Sequence, residues 1–163
     1  MSRRTLVLLR HAKSDWSGTE ADIHRPLAPR GRRQAPEAGR WLAANLDHID
    51  LAVVSAATRA RQTWDLAAAE LKTDPATVLD DRVYAASERQ LIAVVRELSL
   101  DVDTVVMVGH NPGLEDLAFA LSGESISMPT SAIAVLTWAG SWGDAGQKPA
   151  VLRVSGRPPP LGG

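Results

Sequence analysis

The chain has 163 residues, enough for one substantial core and too few for two ordinary domains. Hydrophobic residues make up 45% and charged residues 23%; with a net charge of −1 and a pI near 6.4, no field of either sign favours nucleic acid or an anionic membrane as partner. The absence of cysteine excludes disulfides, thiolate metal sites and a cysteine nucleophile, and fits a reducing cytoplasm, the expected location.

The first apolar run, TLVLL (5–9), reads as a buried strand and is too short for a signal peptide or a membrane span. RGRRQAPEAGRWLAANL (30–46) places Ala35, Ala38, Leu42 and Leu46 near helical spacing, with Pro36 expected early in the helix. LAVVS (51–55) is a second strand, followed by a helical face of Ala60, Trp64, Ala67 and Leu71. TVL (77–79) is a weaker strand candidate. SERQLIAVVREL (87–98) groups Leu91, Val94, Val95 and Leu98 behind an N-cap at Ser87. TVVMV (104–108) leads through GHNPG into a stripe of Leu114, Leu117, Ala118 and Leu121.

Strand–helix alternation of this kind predicts an α/β three-layer sandwich, with a mostly parallel central sheet and helices on both faces. SAIAVLTW (131–138) and PAVLRV (149–154), separated by a Gly-rich segment, predict an antiparallel hairpin at the C-terminal edge. Residues 1–154 are expected to form a single domain, and 155–163 (SGRPPPLGG) a flexible tail.

In parallel sheets, ligands bind outside the carboxyl ends of the strands. Here the first strand ends in Arg10-His11, the second leads to Arg59, and the fourth ends in Gly109-His110-Asn111. The loop ADIHRPL adds Asp22 and Arg25. Arginines, histidines and helix N-termini at one rim suit a dianion such as phosphate. Neighbouring guanidinium groups disfavour a protonated imidazole, so His11 is expected to be neutral and nucleophilic. It would attack phosphorus, form a phosphohistidine and lose it to water, with Arg10, Arg59 and His110 holding the equatorial oxygens. Asp22 could orient His11, pair with Arg25 or move protons, and Arg25 divides between phosphate contact and a salt bridge to Asp22. His24 and His48 have no motif that requires them. The five tryptophans read as core and rim packing, with Trp16 placed to border the opening.

LVLLRHAKS, SAATRARQT and VGHNPG, in this order, resemble the histidine phosphatase superfamily. With the short length and the D-x-x-R-P-L element, the chain looks most like its small SixA-like phosphohistidine phosphatase branch. The resemblance implies a phosphate pocket of Arg10, His11, Arg59 and His110, with His11 as nucleophile, no metal or other cofactor, and Asp22 and Arg25 at further positions of that branch. Ala12 replaces the glycine usual after the Arg-His pair, which predicts an altered turn. No segment matches the glutamate that serves as proton donor in mutase-like members; Glu88 is the nearest candidate and reads as a first-turn helix residue. A nitrogen leaving group needs such an acid less than an alkoxide does, which favours phosphohistidine on a partner protein as substrate. The alternatives are nucleotides or small phosphate esters at the same site, a metal-dependent phosphoesterase using His11, His110 and Asp22, and a phosphate-binding module without turnover.

Overall fold

The structure, a computed structural model, describes residues 2–160; the last three positions of the expected tail lie outside the described residues. In chain order the elements are β1 (Arg3–Arg10), α1 (Pro29–Asn45), β2 (Leu51–Ser55), α2 (Thr58–Ala68), β3 (Ala76–Asp80), α3 (Glu88–Arg96), β4 (Thr104–Gly109), α4 (Gly113–Ser122), β5 (Ile133–Ala139) and β6 (Val151–Gly156). They build one six-stranded sheet in the order β3-β2-β4-β1-β5-β6. The β3–β2, β2–β4 and β4–β1 pairs are parallel, while β1–β5 and β5–β6 are antiparallel. The expected α/β architecture and edge hairpin are therefore observed, and β6 runs two residues past the expected boundary at 154.

Strand alternation divides the core into two layers. Leu6 and Leu8 of β1 face the layer that contains Leu91, Val94 and Val95 of α3 and Leu114, Leu117 and Leu121 of α4. Val7 and Leu9 face the opposite layer, with Ala38, Trp41 and Leu42 of α1 and Ala60, Trp64 and Ala67 of α2. Those four β1 side chains are fully buried, each contributing on the order of 1.5–3 kcal/mol of hydrophobic stabilisation. A strand with both faces covered needs continuous apolar sequence, which is why TLVLL shows no polar alternation.

Two local rules set the helix starts. Pro29 occupies the opening position of α1, where its missing N–H costs nothing. Ser87 and Gln90 form a reciprocal capping box at α3, so the expected N-cap is present. Pro36 departs from expectation: it lies inside α1, one turn and more beyond the start. A mid-helix proline costs ~3 kcal/mol, and burial of Ala35, Ala38, Trp41 and Leu42 on the same helix offsets it. Gly39 lets α1 close onto α2, because a Cβ there would stand 2.2 Å from the Ala67 carbonyl oxygen.

The connections from β1 and β4 leave on opposite faces, α1 in one layer and α4 in the other. A crevice is left between the carboxyl ends of these adjacent parallel strands, where open α/β sheets bind ligands. Among the described residues, no helix is long and apolar enough to cross a membrane.

Candidate active site

Register alone brings the polar strand ends together. Arg10 is the Cα partner of Gly109, and Val54 that of Val108, so Arg10-His11, Ser55 and His110 emerge side by side. The His11 amide donates to the Gly109 carbonyl at 3.0 Å, which holds the first turn against β4. His11 and His110 lie with ring centroids 5.0 Å apart. A cavity of about 270 Å³ is lined by Arg10, His11, Asp22, Arg25, Arg59 and His110, together with Lys13, Ser14, Trp16, Asn111 and Thr130. All six side chains selected from the sequence thus meet in one cleft, while His24, His48 and Glu88 do not line it.

Ala12 makes the turn without a left-handed backbone: its φ is not positive, and it is fully buried. Its amide donates to Thr63 Oγ1 at 2.9 Å, and that hydroxyl donates to the Arg59 carbonyl at 2.7 Å. Thr63 therefore links the turn after His11 to the helix that carries Arg59.

The two imidazoles are set up differently. His11 Nδ1 lies 2.8 Å from the Ala12 carbonyl oxygen, which can only accept, so Nδ1 carries the ring proton and Nε2 keeps a free lone pair. His11 is pulled down to about 3, chiefly by burial; the bond to Ala12 opposes this, and His110, Arg59 and Arg10 add to the lowering. The expected direction holds, but burial comes ahead of the arginines as its cause. His110 Nε2 lies 2.7 Å from Ser55 Oγ. That oxygen already accepts from the Ala57 amide; assigned from this network, the Ser55 hydroxyl donates to Nε2 and leaves the His110 proton on Nδ1. His110 is lowered to about 4, again by burial first and then by Arg59.

Both shifts mean that the folded protein holds neutral imidazoles while the unfolded chain protonates them near pH 6.5. Stability is therefore complete above pH 6.5 and declines as pH falls from 6.5 toward 4. Melting temperatures recorded between pH 7 and 4.5 are expected to drop steadily, and a flat profile would contradict the assignment.

Asp22 is the carboxylate of the cleft, and its oxygens are engaged. Oδ1 accepts from Arg25 Nε and Nη2 (3.1 and 3.0 Å), and Oδ2 accepts from Arg59 Nη2 (3.1 Å) and from the Tyr84 hydroxyl (2.5 Å). The Asp22 main-chain carbonyl accepts from Arg59 Nη1 at 2.7 Å. The Tyr84 hydrogen bond, then Arg25 and Arg59, hold its carboxyl well below the usual carboxylate range despite some desolvation. An ionised Asp22 has no proton to donate, so of its three possible roles the ion pair is the one this geometry matches. Arg25 likewise has a protein partner at each nitrogen, since Nη1 donates to Ser14 Oγ at 2.8 Å. Its guanidinium also stacks 3.5 Å from the ring centre of Trp16, which is 69% exposed at the mouth.

Four residues that line the cleft carry buried polar atoms without a partner: three nitrogen donors, and the Asn111 Oδ1 acceptor. Arg10 Nε, Arg59 Nε and His110 Nδ1 have no hydrogen-bond partner. Buried polar groups are rarely left so, and three donors lining one small cleft call for an anion. Sequence reasoning missed Ser55, Thr63 and Tyr84. Ser55 and Thr63 sit within stretches already singled out, whereas Tyr84, the chain's single tyrosine, had no local signal.

Comparison with known proteins agrees with the fold and adds a family. The family model described as histidine phosphatase superfamily (branch 1) matches residues 6–88. An uncharacterized protein of Mycobacterium tuberculosis (strain ATCC 25618 / H37Rv) is 42% identical over 147 residues, covering 83% of this chain and 90% of the relative. The structure of a candidate phosphohistidine phosphatase SixA from Nakamurella multipartitia is similar with a TM-score of 0.86, at 29% identity over 96% of each chain. Another, from Agrobacterium tumefaciens, has a TM-score of 0.75 at 30% identity, covering 82% of this chain and 90% of that one.

Proposed function

The chain belongs to the histidine phosphatase superfamily, and on that premise we propose that it is a metal-independent phosphatase acting on phosphohistidine of a partner protein. The observation that carries this reading is the set of unpartnered donors, Arg10 Nε, Arg59 Nε and His110 Nδ1, on residues that share a cleft with a neutral His11 whose Nε2 is free. His11 Nε2 attacks phosphorus as the bond from phosphorus to the leaving nitrogen breaks, and that nitrogen takes a proton from solvent. Water then attacks the phosphoryl group on His11; the P–N bond breaks, a proton is released to solvent, and Nε2 is restored with inorganic phosphate as product. Arg10, Arg59 and His110 hold the equatorial oxygens through both steps, where positioning and charge stabilisation supply most of the rate. Arg25 serves with Asp22 as the brace that aims Arg59.

The acids available in the cleft favour a nitrogen leaving group. Asp22 is the carboxyl that lines the cleft, and it is ionised. Alkoxide departure benefits strongly from a positioned acid, whereas an imidazole nitrogen leaves with protonation from water. The exposed Trp16 at the mouth suits a phosphoryl group presented on a protein surface, and the two similar structures described as candidate phosphohistidine phosphatases support the same substrate class. The metal-dependent alternative requires Asp22 beside His11 and His110 as ligands. Its oxygens are spent on Arg25, Arg59 and Tyr84, and among the described residues no group of three His, Cys, Asp or Glu is placed to hold an ion.

The test is a substrate panel run in excess chelator: a phosphohistidine peptide, an aryl phosphate, a nucleoside monophosphate and a sugar phosphate. The first two are expected to turn over, with the sugar phosphate slower by about a hundredfold for want of a general acid. Equal rates on alkyl esters, or loss of activity restored by a divalent metal, would overturn the reading.

A further inference from the structure

Beside the catalytic cleft lies a second cavity, of about 310 Å³, lined by Arg30, Arg33, Gln34, Glu37 and Arg157. The two share a wall. Arg157 Nη1 lies 3.4 Å from both the carbonyl oxygen and Oγ1 of Thr130, a residue of the catalytic cleft. Gln34 Oε1 accepts from the amide of Lys13, whose side chain borders that cleft. Gly31 packs directly beneath, since a Cβ there would fall 2.1 Å from the Lys13 carbonyl oxygen. The groove thus continues the catalytic opening along the start of α1 and the end of β6.

Its charge is one-sided. Lys13, Arg30, Arg33 and Arg157 are exposed, and among the described residues none has a salt-bridge partner, although the chain as a whole carries a net charge of −1. Glu37 is the one carboxylate lining it. Two surface arginines elsewhere are paired, Arg40 with Glu70 and Arg82 with Asp80 and Glu97; what sets the groove apart is that its cations gather along one wall. Two of the unpaired cations also sit where they are least welcome. Arg30 and Arg33 lie in the opening turns of α1, which has no acidic residue in its first turn, and a cation near a helix N-terminus opposes the macrodipole. The Arg157 charge is felt at Arg10, where it adds to the lowering caused chiefly by burial. This accumulation of like charge borders the cleft in which the phosphoryl group would bind.

We propose that Lys13, Arg30, Arg33 and Arg157 form a docking groove for an acidic segment that flanks the phosphorylated residue of a protein substrate. This rests on the phosphatase reading and sharpens its substrate class from any phosphohistidine to one carried next to Asp- and Glu-rich chain. An extended peptide fits the geometry better than a second phosphate on a small molecule. The cations are exposed and spread along an open wall, whereas a small bisanion needs its second site enclosed at a fixed distance from the first. Hydrated surface charges of this kind act through encounter rate and orientation, so the effect belongs in kcat/KM and is screened by salt.

The experiment compares two synthetic phosphohistidine peptides of equal length, one flanked by Asp and Glu and the other by Ser and Gly, with an aryl phosphate as reference. At low salt the wild-type protein is expected to favour the acidic peptide by about tenfold in kcat/KM, shrinking below about twofold at high salt. The double variant Arg30→Glu/Arg33→Glu is expected to abolish or reverse that preference while aryl phosphate turnover stays within about twofold. The aryl rate also reports that the variant is folded. Equal kcat/KM for the two peptides in the wild type, or a preference that survives the double variant, overturns the groove and leaves the phosphatase reading standing. If aryl phosphate is hydrolysed and neither peptide is, the phosphohistidine reading fails and takes the groove with it.

Discussion

His11→Ala is expected to lower kcat on an aryl phosphate or a phosphohistidine peptide by at least about a thousandfold while leaving inorganic phosphate bound within about threefold of wild-type affinity. The two readouts separate because two different sets of atoms are involved. Attack needs the free lone pair on Nε2, which exists because the Ala12 carbonyl holds the ring proton on Nδ1. Anion binding draws on the unpartnered nitrogens of Arg10, Arg59 and His110, which the substitution does not touch. A binding module without turnover would show the second behaviour already in the wild type. The direct check is acid-labile incorporation of labelled phosphate: a stoichiometric adduct in wild type that is absent from His11→Ala. Residual activity above about a tenth of wild type would remove His11 as nucleophile.

Arg59→Ala carries the second large effect, a fall in kcat/KM of about a hundredfold or more. Two losses combine here. One of the three unpartnered donors disappears, and Asp22 loses its contacts to both Arg59 terminal nitrogens. The Asp22 carboxylate, still ionised by Tyr84 and Arg25, then faces an incoming dianion with less positive charge beside it. Arg59→Lys is expected to recover little, because a single ammonium nitrogen cannot reproduce the planar fork whose Nη1 and Nη2 hold Asp22 while Nε stays unpartnered. Removing the stranded charge as well, in Arg59→Ala/Asp22→Ala, is expected to restore part of the loss. Residues in one charge network are non-additive, and strictly additive penalties would show that Asp22 and Arg59 act independently.

The brace around Asp22 also bears on how such a site is preorganised. Arg59 approaches Asp22 from α2, Tyr84 from the loop before α3, and Arg25 from the loop before α1. A carboxylate satisfied from three directions fixes the arginine it binds before any substrate arrives, so less ordering is left for the reaction itself. The single negative charge also offsets part of the repulsion among Arg10, Arg25 and Arg59 in the phosphate-free protein.

Much of this protein is written in short-range pattern. Continuous apolar runs at TLVLL, LAVVS and TVVMV dictate strands covered on both faces, and the 3.6-residue stripes of α3 and α4 dictate which side each helix buries, because each element must hide its apolar face whatever surrounds it. Arg10, His11, Arg59 and His110 are legible for the same reason: each follows a recognisable strand, and parallel strands deliver their ends to one edge. What depends on contacts between distant segments was decided only in three dimensions. Pro36 stays inside α1 because packing against α2 outweighs a lost hydrogen bond. Burial, not the neighbouring arginines, is the leading reason that His11 is neutral, and burial is a property of the whole fold. Tyr84 reaches Asp22 across 62 positions of chain, and Arg157 reaches the wall of the cleft from the far end of the sequence. Neither carries a local signal, since a side chain's partner across such a separation is set by how the layers close and not by the residues beside it.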